Sequence, residues 1–413
     1  MKSFGGAQAG GVPAIRYSHA SVALPDGAFV ITHGYYYDAD AGKPAWLSDT
    51  WSYAPQGTRA ARKRAKGWTR LHPGNGGGGA PPSPAPPARY GHVAAAADGG
   101  DIILLHGGTD GGHRLGAVGP AGVGGFQPNY EFDDLWTFDV NKRTWREVAR
   151  QGLWPIKRYL HTLVPASLDG TAFWMYGGLG IAADDTLWRL LADDGGAWRW
   201  ERPDAPREGP GQRYGHGAVS DGAGGMFLFG GRAGGISTGA KVTNELWRLD
   251  GVRMTWRLLG PPATGTDAGN VWPGKLIYPA AAVLAMPGSA APALLVQGGS
   301  SEVPRVSCQN DTWLWHPRAP GADVGRWMRL PASPLPTYHH TLATAWLTQG
   351  GAAARPGEDA PPPLGAAAFS FGGHACVGHV APRGLYYYNA VWKLDLGPMH
   401  GAAHASEHDD AGL

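Results

Sequence analysis

Five histidines stand at one place in a recurring Arg-Tyr-x-His motif or its weaker form: His19, His92, His161, His216 and His340. Neutral imidazole is a common protein ligand for zinc and copper, so such a set invites a metal-centre reading. Cys308 and Cys376 add softer ligands, and His374 and His379 flank the second cysteine. His404, Glu407, His408, Asp409 and Asp410 form a further group near the C-terminus. Each group has a plainer reading. A residue type that returns at one place in repeat after repeat is scaffold, because chemistry needs a site only once. One histidine per repeat also spreads the imidazoles far apart. The terminal group, polar and without apolar neighbours, reads as a solvated tail. No nucleophile elbow, P-loop, zinc-binding helix or dinucleotide fingerprint occurs. No catalytic residue, metal ligand or cofactor is therefore assigned.

The elements that carry these residues are copies of one unit. Asx-x-x-Trp or a close variant occurs six times, ending at Trp51, Trp136, Trp188, Trp247, Trp313 and Trp392. Before each copy lies a short apolar run closed by glycine, such as Phe173 to Gly178 or Met226 to Gly231. Before each run stands Arg-Tyr-x-His, at Arg16, Arg89, Arg158 and Arg213, then weakly as Ile277-Tyr278-Pro279-Ala280 and Thr337-Tyr338-His339-His340. A continuous apolar run predicts a strand buried on both faces near a central axis. The glycine pair predicts positive φ where the chain leaves that strand. The Asx predicts a turn into a second, alternating strand. A third strand carries Trp68, Trp145, Trp198, Trp256 or Trp327, and the Arg-Tyr-x-His segment reads as the fourth. Four-stranded sheets in radial array hide the edges that each would expose alone.

Apolar strand, Gly-Gly, aromatic-centred second strand and then Trp: this pattern resembles the kelch-repeat family over nearly the whole chain. The resemblance implies an all-β fold, a six-bladed β-propeller of four-stranded blades, with repeats longer than the family's usual ~50 residues. Strand counting leaves the last blade without its outer strands and the N-terminus with an orphan strand. Residues 3–25 are thus expected to complete blade six, giving one propeller over 1–397 and a flexible tail over 398–413. Kelch propellers divide between interaction modules and a few enzymes. The expected function is a non-enzymatic platform for protein partners within a larger assembly. The alternative is a kelch-fold enzyme, of the galactose-oxidase-like metal type or the sugar-epimerase type.

The long insertions after the apolar strands, 35–46, 109–131, 232–243, 300–310 and 374–388, are expected to share one face. Long loops on a rigid scaffold carry binding. Aromatics gather there as Tyr35, Tyr36 and Tyr37, Phe126 with Tyr130, and Tyr386, Tyr387 and Tyr388. Two readings stand: a contiguous protein-binding patch, or tyrosines that cover the blade tops. The basic run Arg59, Arg62, Lys63, Arg64 and Lys66 belongs to the opposite face, as a solvated loop or a nuclear-import signal. A net charge of +2 gives no case for nucleic acid or anionic membrane. No apolar run approaches the ~20 residues of a membrane span, and Met1 to Ala14 carries no secretory stretch. Two cysteines are too few for a disulfide scaffold. An intracellular, cytoplasmic protein is the expectation.

Overall fold

The computed structural model describes residues 11–395 apart from 39–42, 57, 64–65, 75–83, 112–129, 181–182, 194, 205–207, 235–238, 262–270, 285–291, 302–306, 318–324, 334–335, 348–364, 377–384 and 388–390. Among these residues the fold is all-β, relieved by the short helix Arg59–Lys63 and one 3-10 turn. Five four-stranded antiparallel sheets and a sixth of three strands form the main tier. Each is a simple meander. In the first, Ala20–Ala23 pairs with Phe29–Thr32, which pairs with Thr50–Ala54, which pairs with Gly67–His72. The sixth holds Thr341–Leu347, Gly365–Phe371 and Val391–Asp395.

Every sheet therefore opens with the strand that follows Arg-Tyr-x-His, and the apolar run comes second. This corrects the expectation that residues 3–25 complete the last sheet: Ala20 to Ala23 lies in the first. The cause is local. Leu24 to Ala28 folds the chain straight back, with the Leu24 N–H donating to Ala28 O at 2.8 Å. The Asp26 carboxylate accepts from the Ala28 N–H at 3.0 Å. So short a turn delivers a strand to its sequence neighbour. Residues 3–10 with Phe4, the tail 398–413, and most of the Gly/Pro-rich stretches 74–87 and 350–363 lie outside the described residues.

The apolar strands are buried along their length, as expected: Phe29–Thr32, Ala172–Tyr176, Met226–Phe229 and Ala293–Gln297. The innermost strands are instead built from small residues, for example Val93–Ala97 and Ala280–Leu284. Radial sheets converge, and side-chain space is least where they meet. Ala20–Ala23 packs beside Val93–Ala97, and the contacts pass on through Thr162–Pro165, Gly217–Ser220 and Ala280–Leu284 to Thr341–Leu347, which in turn touches Ala20–Ala23. The Trp strands lie outermost and fill the gaps between sheets. Trp68 meets Phe371 of the sixth sheet edge-on, with ring centres 4.8 Å apart.

Glycine pairs end the apolar strands because a side chain there would collide. Gly230 has φ +68°, and a Cβ on it would lie 2.6 Å from Leu276 O. One on Gly231 would lie 2.7 Å from His216 Cβ. Gly230→Ala should cost about 2 kcal/mol from backbone strain and contact together. A guanidinium denaturation curve with an unshifted midpoint would refute this account of the pair.

Candidate functional site

The glycine-pair end of each sheet leads into a second, smaller tier. Tyr35–Asp38 pairs with Lys43–Trp46, and Tyr17 bridges to Tyr35. Arg213–Tyr214 pairs with Arg232–Ala233, which pairs with Lys241–Val242. Thr337–Tyr338 pairs with His374–Cys376, which pairs with Leu385–Tyr387. Ser300–Ser301 pairs with Ser307–Cys308, and single bridges such as Tyr90 to Thr109 stand in the other sheets. The insertions thus spring from one end of the sheets. The helix Arg59–Lys63 lies at the other, where the Ala60 N–H donates to Asp26 O at 2.9 Å.

Within this tier the anticipated tyrosines take different places. Tyr35 is half-buried, with its ring centre 4.0 Å from that of Tyr17 and 4.6 Å from that of Tyr90. Tyr36 is also half-buried. Tyr37 is 43% exposed and Tyr130 42%. Tyr130 packs on Phe132, and the Lys157 ammonium sits 4.0 Å over its ring. Tyr386 and Tyr387 lie in the strand paired to His374–Cys376. Phe126 and Tyr388 lie outside the described residues.

Sequence reasoning missed the tyrosines of the Arg-Tyr-x-His motif itself. Tyr17, Tyr35, Tyr90 and Tyr159 touch in series, while His339 joins Tyr17 to Tyr278 and Tyr338. Burial pushes the Tyr159 phenol up to about 12 and raises Tyr90, whose neighbours Asp110 and Glu131 add to the effect. Sequence reasoning had assigned the motif tyrosines no role. Repetition about an axis brings them together when they head the innermost strands.

The histidines converge for the same reason, which corrects the expectation that they stand far apart. His19, His92, His161, His216 and His340 line a central cavity of about 160 Å³. Three of them bond to neighbouring sheets: His19 Nε2 to Thr341 Oγ1 at 2.8 Å, His161 Nε2 to His106 Nδ1 at 3.0 Å, His216 Nε2 to Thr162 Oγ1 at 2.9 Å. Four of the imidazoles, those of His19, His161, His216 and His340, rest in slots that a glycine opens, while His92 packs against His33 with ring centres 5.3 Å apart. A Cβ on Gly107 would lie 2.8 Å from His161 Cε1. Burial above all, reinforced by arginines at His19 and His216 and by neighbouring imidazoles at His92 and His161, pushes these imidazoles down, with His216 at about 3 and His340, by burial alone, at about 4. Among the described residues no three His, Cys, Asp or Glu side chains group as a metal site. Cys308 is disulfide-bonded, which the cysteine count had not suggested.

The motif arginines form a buried clamp. Arg89 grips Asp134 through two bonds of 2.6 and 2.8 Å and donates to Gly107 O at 2.9 Å, while Trp136 Nε1 donates to the same carboxylate at 2.8 Å. Arg16 with Asp49 and Trp51, and Arg213 with Glu245 and Trp247, repeat it; Arg158 grips Asp184 directly. Burial alone would raise Asp134, but the Arg89 guanidinium and the Trp136 N–H hold it below the usual carboxylate range. In these clamps of the first, second and fourth sheets the acid stands two residues before Trp. The preceding asparagines act differently: Asn244 and Asn310 donate side-chain amides to Pro273 O and Ser333 O. The fifth sheet departs from the pattern. There Tyr278, not Pro279, has positive φ like Ser18 and Leu160, so Leu276 takes the arginine's place and Pro279 the histidine's.

Comparison with known proteins agrees with the repeat. A model of the KLHDC2/KLHL20/DRC7 Kelch-repeats domain matches residues 122–269. The chain is similar to the Rab9 effector protein with kelch motifs of Mus musculus, 26% identical over 134 residues, 32% of this chain and 34% of the relative. The Bos taurus counterpart is 28% identical over the same length. The chain thus spans about a third of the length of the curated relatives it matches.

Proposed function

The chain is a kelch-repeat protein, and on that premise we propose that it is a non-enzymatic platform for protein partners within a larger assembly. Its body is a closed ring of six blades over residues 1–397, and partners dock on the tier that carries the insertions. One observation carries this reading: non-repeating Tyr35, Tyr37 and Tyr130 rise from the same end of the sheets as the linked motif tyrosines. Aromatic side chains anchored on a rigid base are the usual centre of a protein interface. The relatives are named as effectors of Rab9, which makes Rab9 the first partner to try. A cytoplasmic or nuclear location belongs to the same reading. The disulfide at Cys308 weighs against it, since such bonds are uncommon in reducing compartments; cell fractionation decides.

Immobilised protein should retain Rab9 or another protein from a cell extract. Tyr37→Ala with Tyr130→Ala should weaken that retention by about 2 kcal/mol or more, at an unchanged melting temperature, because exposed truncations cost little folding energy. Replacing Arg59 and Lys66 by Gln, at the opposite end, should change nothing. Loss of capture in the basic variant alone would move the site to that end.

A further inference from the structure

Where the repeat breaks, a cavity opens. In the first four sheets a motif arginine crosses to an acid beside the Trp strand. In the fifth, Leu276 replaces that arginine, and a cavity of about 610 Å³ lies against Leu276, Asp311 and Trp313. These are the fifth sheet's counterparts of arginine, acid and tryptophan in the clamp. The floor is apolar, formed by buried Val242, Leu276 and Trp313. At the rim stand Lys241 and Lys275, both exposed. Asp311 does not offset them, because the exposed Arg329 pairs with it from the neighbouring strand. The cavity therefore combines an apolar base with a surplus of positive charge.

We propose that this cavity between the fourth and fifth sheets binds an acidic peptide segment of a partner, with one apolar side chain seated on Trp313. The carboxylates of the segment would lie against Lys241 and Lys275. Charge complementarity selects the occupant: a basic segment would meet two lysines, and an uncharged one would leave their attraction unused. The cavity belongs to the same tier, but to its fourth and fifth sheets rather than the first and second that carry Tyr37 and Tyr130, and it stands whether or not those tyrosines bind Rab9.

The test uses a fluorescein-labelled peptide of Glu and Asp around a single Phe, its Lys/Arg counterpart, and fluorescence anisotropy at low salt. The acidic probe should bind saturably to the full chain. Lys241→Glu with Lys275→Glu should weaken it about tenfold or more, a loss of ~1.4 kcal/mol. Leu276→Arg rebuilds the clamp of the other sheets and fills the cavity. It should abolish binding while the melting temperature holds or rises. Equal binding to the Leu276→Arg protein would reduce the interaction to surface charge and overturn the proposal. So would tighter binding of the basic peptide, or no binding of the acidic one. A concentration-dependent dimer that Leu276→Arg dissolves would assign the cavity to a second copy of the chain and equally overturn it.

Discussion

Acidification from pH 7 to pH 5 should unfold the protein cooperatively. Seven buried histidines, His19, His33, His92, His106, His161, His216 and His340, have their pKa values lowered, above all by burial. An unfolded chain takes up these protons near pH 6.5, whereas the folded one refuses them down to about 4 at His340 and about 3 at His106 and His216. Their contribution is intact above pH 6.5 and is lost as the pH falls from there toward the folded values. One unit below 6.5, each group costs about 1.4 kcal/mol. Seven together approach ~10 kcal/mol as an upper bound, comparable to the whole stability of an ordinary domain, about 5–15 kcal/mol. Circular dichroism and tryptophan fluorescence should show a transition between pH 6.5 and 5. A signal flat to pH 4.5 would show that the imidazoles accept protons without leaving their slots.

Arg89→Ala should be among the most damaging single changes. It leaves the half-buried Asp134 without its guanidinium and takes a donor from Gly107 O. Breaking a buried pair from one side costs about 3–5 kcal/mol. Arg329→Ala is the control, since its partner Asp311 is also held by an arginine but the Arg329 side chain is 61% exposed; it should cost under ~1 kcal/mol. Removing Asp134 together with Arg89 should recover part of the loss, as coupled neighbours do. Equal costs for Arg89→Ala and Arg329→Ala in urea denaturation would refute the buried clamp.

Much of the architecture could be read from the sequence, because the apolar run and the second-strand tryptophan recur in all six copies and the glycine pair and the third-strand tryptophan in five each. The start of the unit could not. A repeat has no marked beginning, and counting from the apolar run assigned Arg-Tyr-x-His to the sheet before its own. The Leu24 to Ala28 turn held the signal, since a hairpin that tight joins neighbours. The same slip hid the convergence of the histidines and motif tyrosines, which follows once their strand is innermost. The fifth copy was misread by one residue, as Tyr278 supplied a tyrosine next to where the motif wanted one. Tyr37 and Tyr130 were legible as loop aromatics. The cavity beside Leu276 was not, because it depends on how two sheets meet.

Each sheet is woven from one uninterrupted stretch of chain, and this bears on how the molecule is made. A sheet has all its strands as soon as its last one leaves the ribosome, and its pairings are local, which favours fast formation. Growth then proceeds vectorially, sheet upon sheet, each new one docking on a finished neighbour. Among the described residues, the seam where Ala20–Ala23 meets Thr341–Leu347 must wait until the sixth sheet has been made, with His19 and Thr341 separated by 322 positions. Until then the first sheet presents one inner flank to solvent or to a chaperone, and the nascent chain is an open arc.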